Sequence, residues 1–211
     1  MTREKQALSE QALRAFTEQL GFLEQALKAF SYVVDAWGFL VTQELLTFVR
    51  FERGPTFIQV FHGRSSFEID VEVGRSGDGT GRLYTLGMFM ELYDDSAAAA
   101  YRCPAVTERG AVGRALERVA SLFEKYGREI ATDSDGIWAR LDEVYDASLK
   151  SLGRRFQCRQ CRRAAEEAWR QRNYRAVVEA YTEIESDLSP AEQKKLAYCR
   201  KKLGEIGGSL G

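Results

Sequence analysis

The chain has 211 residues, 45% of them hydrophobic and 29% charged, with a formal net charge of −1. That suits one large globular domain, or one domain with a small appendage, and three prolines with only short glycine-rich stretches exclude a long disordered linker. Residues 1–100 carry an acidic surplus and residues 151–211 a basic one, an asymmetry too mild for the concentrated basic footprint of a nucleic-acid binder.

The N-terminal stretch MTREKQALSEQ is polar and lacks the apolar region and small-residue site of a secretory signal. No run approaches the roughly 18 apolar residues that a membrane span needs. A cytoplasmic location without membrane contact is expected. In that reducing setting the four cysteines are expected as free thiols.

Residues 5–36 read as helix. Leu8, Ala12, Phe16, Leu20, Leu23, Leu27, Phe30 and Val34 recur at three- and four-residue spacings, which places them on one face. Gly21 is a break or kink, and Trp37-Gly38-Phe39 form the exit turn. Over 43–86 the period changes. FVRFE (48–52), TFIQVFH (56–62) and SFEIDVEV (66–73) are strands separated by Arg53-Gly54-Pro55 and Gly63-Arg64-Ser65, an antiparallel meander. In the third, Phe67, Ile69, Val71 and Val73 face one way and Glu68, Asp70 and Glu72 the other. Residues 74–81 form a loop, and 82–86 a fourth strand.

Helical spacing returns from residue 87. A short helix spans 86–93, and 94–104 are irregular with a helical option at Ala97–Ala100. Thr107 caps a helix that Gly127 stops. Asp133 or Ser134 caps the next, carrying Ile137, Trp138, Leu141, Val144, Tyr145 and Leu149. The tail gives three helical pieces: 155–171, 174–186, and one opened by the capping box Ser189-Pro190-Ala191-Glu192. The expected fold is α+β: an N-terminal helix, a β-meander of three to four strands, then a mostly helical C-terminal half. The expected organisation is an α+β domain over 1–152 and a helical appendage over 153–211.

The tail resembles a tetratricopeptide repeat. Ala165, Ala168, Trp169, Asn173, Tyr174, Val177, Tyr181 and Pro190 fall near the repeat's small, aromatic and terminal-proline positions, but Arg172-Asn173 stands where the repeat has glycine. A lone repeat cannot bury its own face, so it packs on neighbouring helices or on another chain. The stretch FIQVFHGRSSFEIDVEVGR (57–75), with VASLFEKYGREI (119–130), resembles a group of uncharacterised bacterial α+β proteins. That resemblance implies an immunity- or adaptor-like role beside a bacterial toxin or defence system.

The chemistry-bearing residues point away from catalysis. His62 is the single histidine and stands beside a tight turn, so it reads as a structural residue bonding to backbone. Cys158 and Cys161 form a CxxC without a second pair; Cys103 or Cys199 would have to complete a zinc site, and packing residues are the simpler reading. The Gly74–Gly81 loop lacks the Gly-Lys-Ser/Thr of a phosphate loop. The basic run 154–163 reads as a solvated helix face.

Glu68, Asp70 and Glu72 can act as a recognition face for a basic partner, relieved by Arg50 and Arg64. They can also act as a metal-dependent phosphodiesterase site, although no lysine lies between Lys28 and Lys125. The reading is therefore a non-enzymatic protein-binding protein with no cofactor, and with Trp169, Tyr174 and Tyr181 as tail contacts. Self-association through the C-terminal helices and a ligand-binding regulatory subunit are the other options.

Overall fold

The computed structural model describes residues 20–63, 65–132 and 135–207. The helical pattern over Leu8, Ala12 and Phe16, the candidate caps Asp133 and Ser134, and Arg64 lie outside them. The chain divides into two compact units, 1–145 and 146–211. The first is α+β and the second helical.

In the first unit, helical spacing yields α1 (Phe22–Ala29) and α2 (Ser31–Asp35). Gly21 sits at the N-terminus of α1 with φ 63, a left-handed conformation that a Cβ would strain. Five strands follow: β1 (Leu40–Leu45), β2 (Phe48–Arg53), β3 (Thr56–His62), β4 (Ile69–Arg75) and β5 (Tyr84–Thr85). They form one antiparallel sheet in the order β1-β2-β3-β4-β5. Next come α3 (Leu86–Glu91), α4 (Asp95–Ala100) and α5 (Arg109–Tyr126). A 3₁₀ turn over Arg128–Thr132 leads to α6 (Asp135–Arg170).

Period-two alternation sends Val49, Phe51, Ile58, Val60, Ile69, Val71 and Val73 to one sheet face, where all are fully buried. Helices α1 and α5 cover this inner face, and Val112, Leu116, Val119 and Phe123 supply the apolar stripe of α5. Phe123 is the hub. Its ring lies 6.4 Å from Phe30, 5.6 Å from Trp37 and 5.7 Å from Phe89, centroid to centroid. Arg53 fastens the margin of this core. Its guanidinium lies over Phe39 and donates to the carbonyls of Trp37, Ile130 and Ala131, tying the exit turn of α2 to the 3₁₀ turn.

Four local expectations need correction. β1 was not foreseen: a bulge between Val41 and Gln43 breaks its alternation, and as an edge strand it is mostly exposed. Phe67 is not an inward strand residue. The chain is still turning there, with φ 55 and its N–H donating to the Gly63 carbonyl, so β4 begins at Ile69. Glu108, not Thr107, occupies the N-cap of α5, and it makes no side-chain capping bond. The two helices expected on either side of Gly153 are one continuous helix, because an interior glycine costs only about 1 kcal/mol, too little to stop it.

Gly74 carries the strictest steric requirement in the sheet. A Cβ there would lie 2.4 Å from Cζ of Phe57, whose ring covers the glycine on the outer face. The Arg50 guanidinium in turn stacks 3.7 Å from that ring's centroid. Gly74→Ala should destabilise the protein by about 1–3 kcal/mol through overpacking. Chemical denaturation of Gly74→Ala in a Phe57→Ala background should recover most of that loss; equal penalties in the two backgrounds would refute the contact.

In the second unit, the C-terminal part of α6 is followed by α7 (Tyr174–Thr182), a 3₁₀ turn over Glu185–Asp187 and α8 (Pro190–Gly207). α7 and α8 pair as a helical hairpin. Arg172 takes the turn position with φ 57, where a tetratricopeptide repeat would have glycine, and Asn173 caps α7 by accepting from the Ala176 N–H. The capping box forms in both directions: the Ser189 N–H donates to Glu192 Oε2 (2.7 Å), and the Glu192 N–H to Ser189 Oγ (3.4 Å). Cys158, Cys161, Ala165, Ala168, Val177, Tyr181, Ile184, Leu188, Leu196 and Cys199 make the unit's core.

Candidate functional site

The three carboxylates do not form a uniform solvent-facing stripe. Glu68 precedes β4, is exposed, and pairs through its backbone with Ala105. Asp70 points to the outer face, yet only 7% of it is accessible. Glu72 is half-buried and accepts a 2.7 Å bond from Gln59 Nε2. The expected acidic partner face is therefore reduced to one exposed carboxylate with one half-buried neighbour. The cause is the segment after α4. Its Pro104 carbonyl accepts from the Ile69 N–H, its Val106 N–H donates to Phe67, and it carries Tyr101 and Cys103 onto Asp70.

Asp70 Oδ1 accepts from the Val71 N–H (2.9 Å) and the Tyr101 hydroxyl (3.3 Å), and Oδ2 from the Cys103 thiol (3.3 Å). Burial pushes its carboxyl above the ordinary range, against the pull of those three donors, and the like charge of Glu72 adds to the rise. Burial and Asp70 together push the Cys103 thiol up to about 12, so it stays protonated and a poor nucleophile at neutral pH. Tyr101 is raised for the same reasons. This is a buried cluster in which both carboxylate oxygens already accept hydrogen bonds, two at Oδ1 and one at Oδ2. Among the described residues, no group of three or more histidine, cysteine or acidic side chains is placed to hold a metal. Nothing in the spacing of Tyr101 or Cys103 announced the cluster. The one available signal was an ionisable residue inside a strand with buried neighbours.

The other outer-face residues form rows across the sheet. Gln43, Arg50, Gln59, Glu72 and Thr85 make a polar row by cross-strand register. Leu45, Phe48 and Phe61 make an apolar row beside it, ending at Asp70. Leu40 and Leu45 are 70% and 51% accessible, and Phe48 and Phe61 are half-buried. Arg50 is held within this surface by its ion pair to Glu52 (2.6 Å) and by its stacking on Phe57. The expected partner residue Arg50 thus stands on the outer face beside apolar side chains that the sequence reading left out.

His62 is buried, with Nε2 2.9 Å from the Val106 carbonyl and its ring stacked on Phe22, a structural placement. Cys158 and Cys161 are buried in the core of the helical unit, and the Cys161 thiol donates to Glu183. The 76–83 segment is a hairpin loop between β4 and β5, ordered by Asp78 accepting from the Thr80 N–H and hydroxyl. Of the expected tail contacts, Tyr181 is corrected. It is 1% accessible and a core residue, because the inward face of α7 places it there with Val177. Trp169 and Tyr174 are half-buried and join Tyr198 in a triangle of edge-on rings, with centroids 5.7–6.0 Å apart. A shallow surface recess is lined by Tyr93, Lys125, Tyr126, Arg128, Glu129 and Thr132. Among the described residues, no helix is long and apolar enough to cross a membrane. No protein-family model, curated protein or solved structure matches the chain.

Proposed function

We propose that the chain is a non-catalytic protein-binding protein that takes its partner on the outer face of the sheet over β1–β3. The observation that supports this is a half-exposed apolar row, Leu45-Phe48-Phe61, beside a polar row anchored by Arg50 and Gln59. An apolar patch edged by fixed polar groups has the anatomy of a binding surface. The charges left on that face are of both signs, Arg50 against Glu52 and Glu72, so a mixed partner surface fits better than a uniformly basic one. Binding without chemistry also agrees with the engaged state of the Asp70 cluster. An immunity- or adaptor-like role in a bacterial toxin or defence system is the biological setting we propose for it.

The partner would be found by crosslinking and purification of the full chain from its native cell, then titrated in pure form. Leu40→Asp with Leu45→Asp replaces two exposed side chains and should leave the fold intact by circular dichroism. It should weaken the complex by about tenfold or more. An unchanged affinity would place the interface elsewhere.

A further inference from the structure

We propose that the outward side of α6 from Leu149 to Arg163 is a docking seam for an acidic amphipathic helix of a partner protein. This surface is independent of the sheet face. Leu149, Leu152 and Phe156 are 51%, 61% and 58% accessible. Their spacing of three and four residues puts them in one row along the helix. Cys158, Cys161, Ala165 and Ala168, on the opposite side of the same helix, face the core of the helical unit. The row therefore points away from the only core of that unit among the described residues.

Continued at the same spacing, the row reaches Arg159 and then Arg163, with Arg155 alongside. Positions 149, 152, 156, 159 and 163 are successive a and d positions of a heptad seam. The first three are apolar and the last two cationic. Arg155, Arg159 and Arg163 are exposed and make no ion pair among the described residues. Their neighbours Arg154 and Arg162 are turned aside, to Asp187 (2.5 Å) and Glu192 (2.8 Å). The basic run is thus not scattered evenly around the helix: part is consumed within the unit, and three arginines stand in a row. Like charges four residues apart weaken a helix, and three large apolar side chains within two turns gain nothing from water. A partner helix with apolar residues facing the first half and carboxylates facing the second would relieve both.

Charge and shape select this occupant. The guanidinium fork matches carboxylates. An apolar row one residue wide is a helix seam, too narrow for a helix lying in a membrane interface. Leucines have no role against a phosphate backbone. A second copy fits poorly, since parallel pairing sets arginine on arginine. Antiparallel pairing sets Arg159 and Arg163 against Leu152 and Leu149, without a carboxylate.

The test uses the full chain and a labelled synthetic helix of about 21 residues, leucine at a and d over one half and glutamate over the other, made in both chain directions. A peptide with lysine in place of glutamate is the control. Fluorescence anisotropy should show binding of one acidic peptide, at about 10–100 μM, and not of the lysine peptide. Arg155→Glu/Arg159→Glu/Arg163→Glu, and separately Leu152→Ser, should each weaken it by about tenfold. Leu152→Ser changes one exposed side chain and keeps the test decisive if the triple variant misfolds. The proposal is overturned if neither acidic peptide binds or if the lysine peptide binds equally well. It is also overturned if the face instead binds phosphatidylserine vesicles or duplex DNA, or if sedimentation shows a dimer that Leu152→Ser dissolves.

Discussion

Phe123→Ala is expected to be the most damaging single substitution in the α+β unit, lowering stability by about 3–5 kcal/mol. The ring is fully buried and meets Phe30, Trp37 and Phe89 at once, so it joins α1, the exit turn of α2, α3 and α5. Truncation removes its transfer free energy and leaves a cavity walled by rigid rings that cannot collapse into it. Urea denaturation should show the midpoint falling with little change in slope. Phe123→Leu should cost much less. A loss below about 1 kcal/mol for the alanine variant would show that the four elements do not depend on this contact.

Asp70→Ala is expected to cost about 1–3 kcal/mol, because it leaves the Tyr101 hydroxyl and the Cys103 thiol without their acceptor. The loss should not add to that of Tyr101→Phe, since both act on one bond. Asp70→Asn probes the charge instead. The folded-state pKa of Asp70 is raised by burial, so the native state holds this proton to higher pH than the unfolded chain does. Asp70 therefore favours folding most at acid pH. Its contribution declines as pH rises from the ordinary carboxylate range through the raised value. Asp70→Asn removes that decline, so its stability should gain on the native protein with rising pH. Denaturation midpoints compared between acid and neutral pH would show it; a pH-independent difference would mean that Asp70 titrates normally.

Much of the fold was legible because its periods are clean. Ile69, Val71 and Val73 alternate, the apolar residues of α5 recur at helical spacing, and Ser189 and Glu192 cap α8 as their types dictate. Period alone, however, places a side chain on a face without saying whether that face is covered. Asp70 lies on the outer side of β4 as its position requires, yet it is buried, because residues 101–106 cross over it by backbone bonds that no side-chain pattern encodes. Tyr181 fails in the same way in the helical unit. Leu40 and Leu45 were illegible because the bulge at Val41–Gln43 scrambles the strand's parity.

The order of the sheet has a kinetic consequence. Every strand pairs with its neighbour in the chain, and the turns Leu46-Thr47 and Gly54-Pro55 are two residues each. The meander can close hairpin by hairpin, with small loop entropy at each step. The costly closure is the one that brings α1 against α5, the helices flanking the sheet in sequence, and Phe30 and Phe123 meet there. Folding is then expected to be limited by this helix pair, whose partners are separated in the chain by the whole sheet, and not by strand pairing. Stopped-flow refolding slowed by Phe123→Leu as much as its equilibrium loss requires would show it.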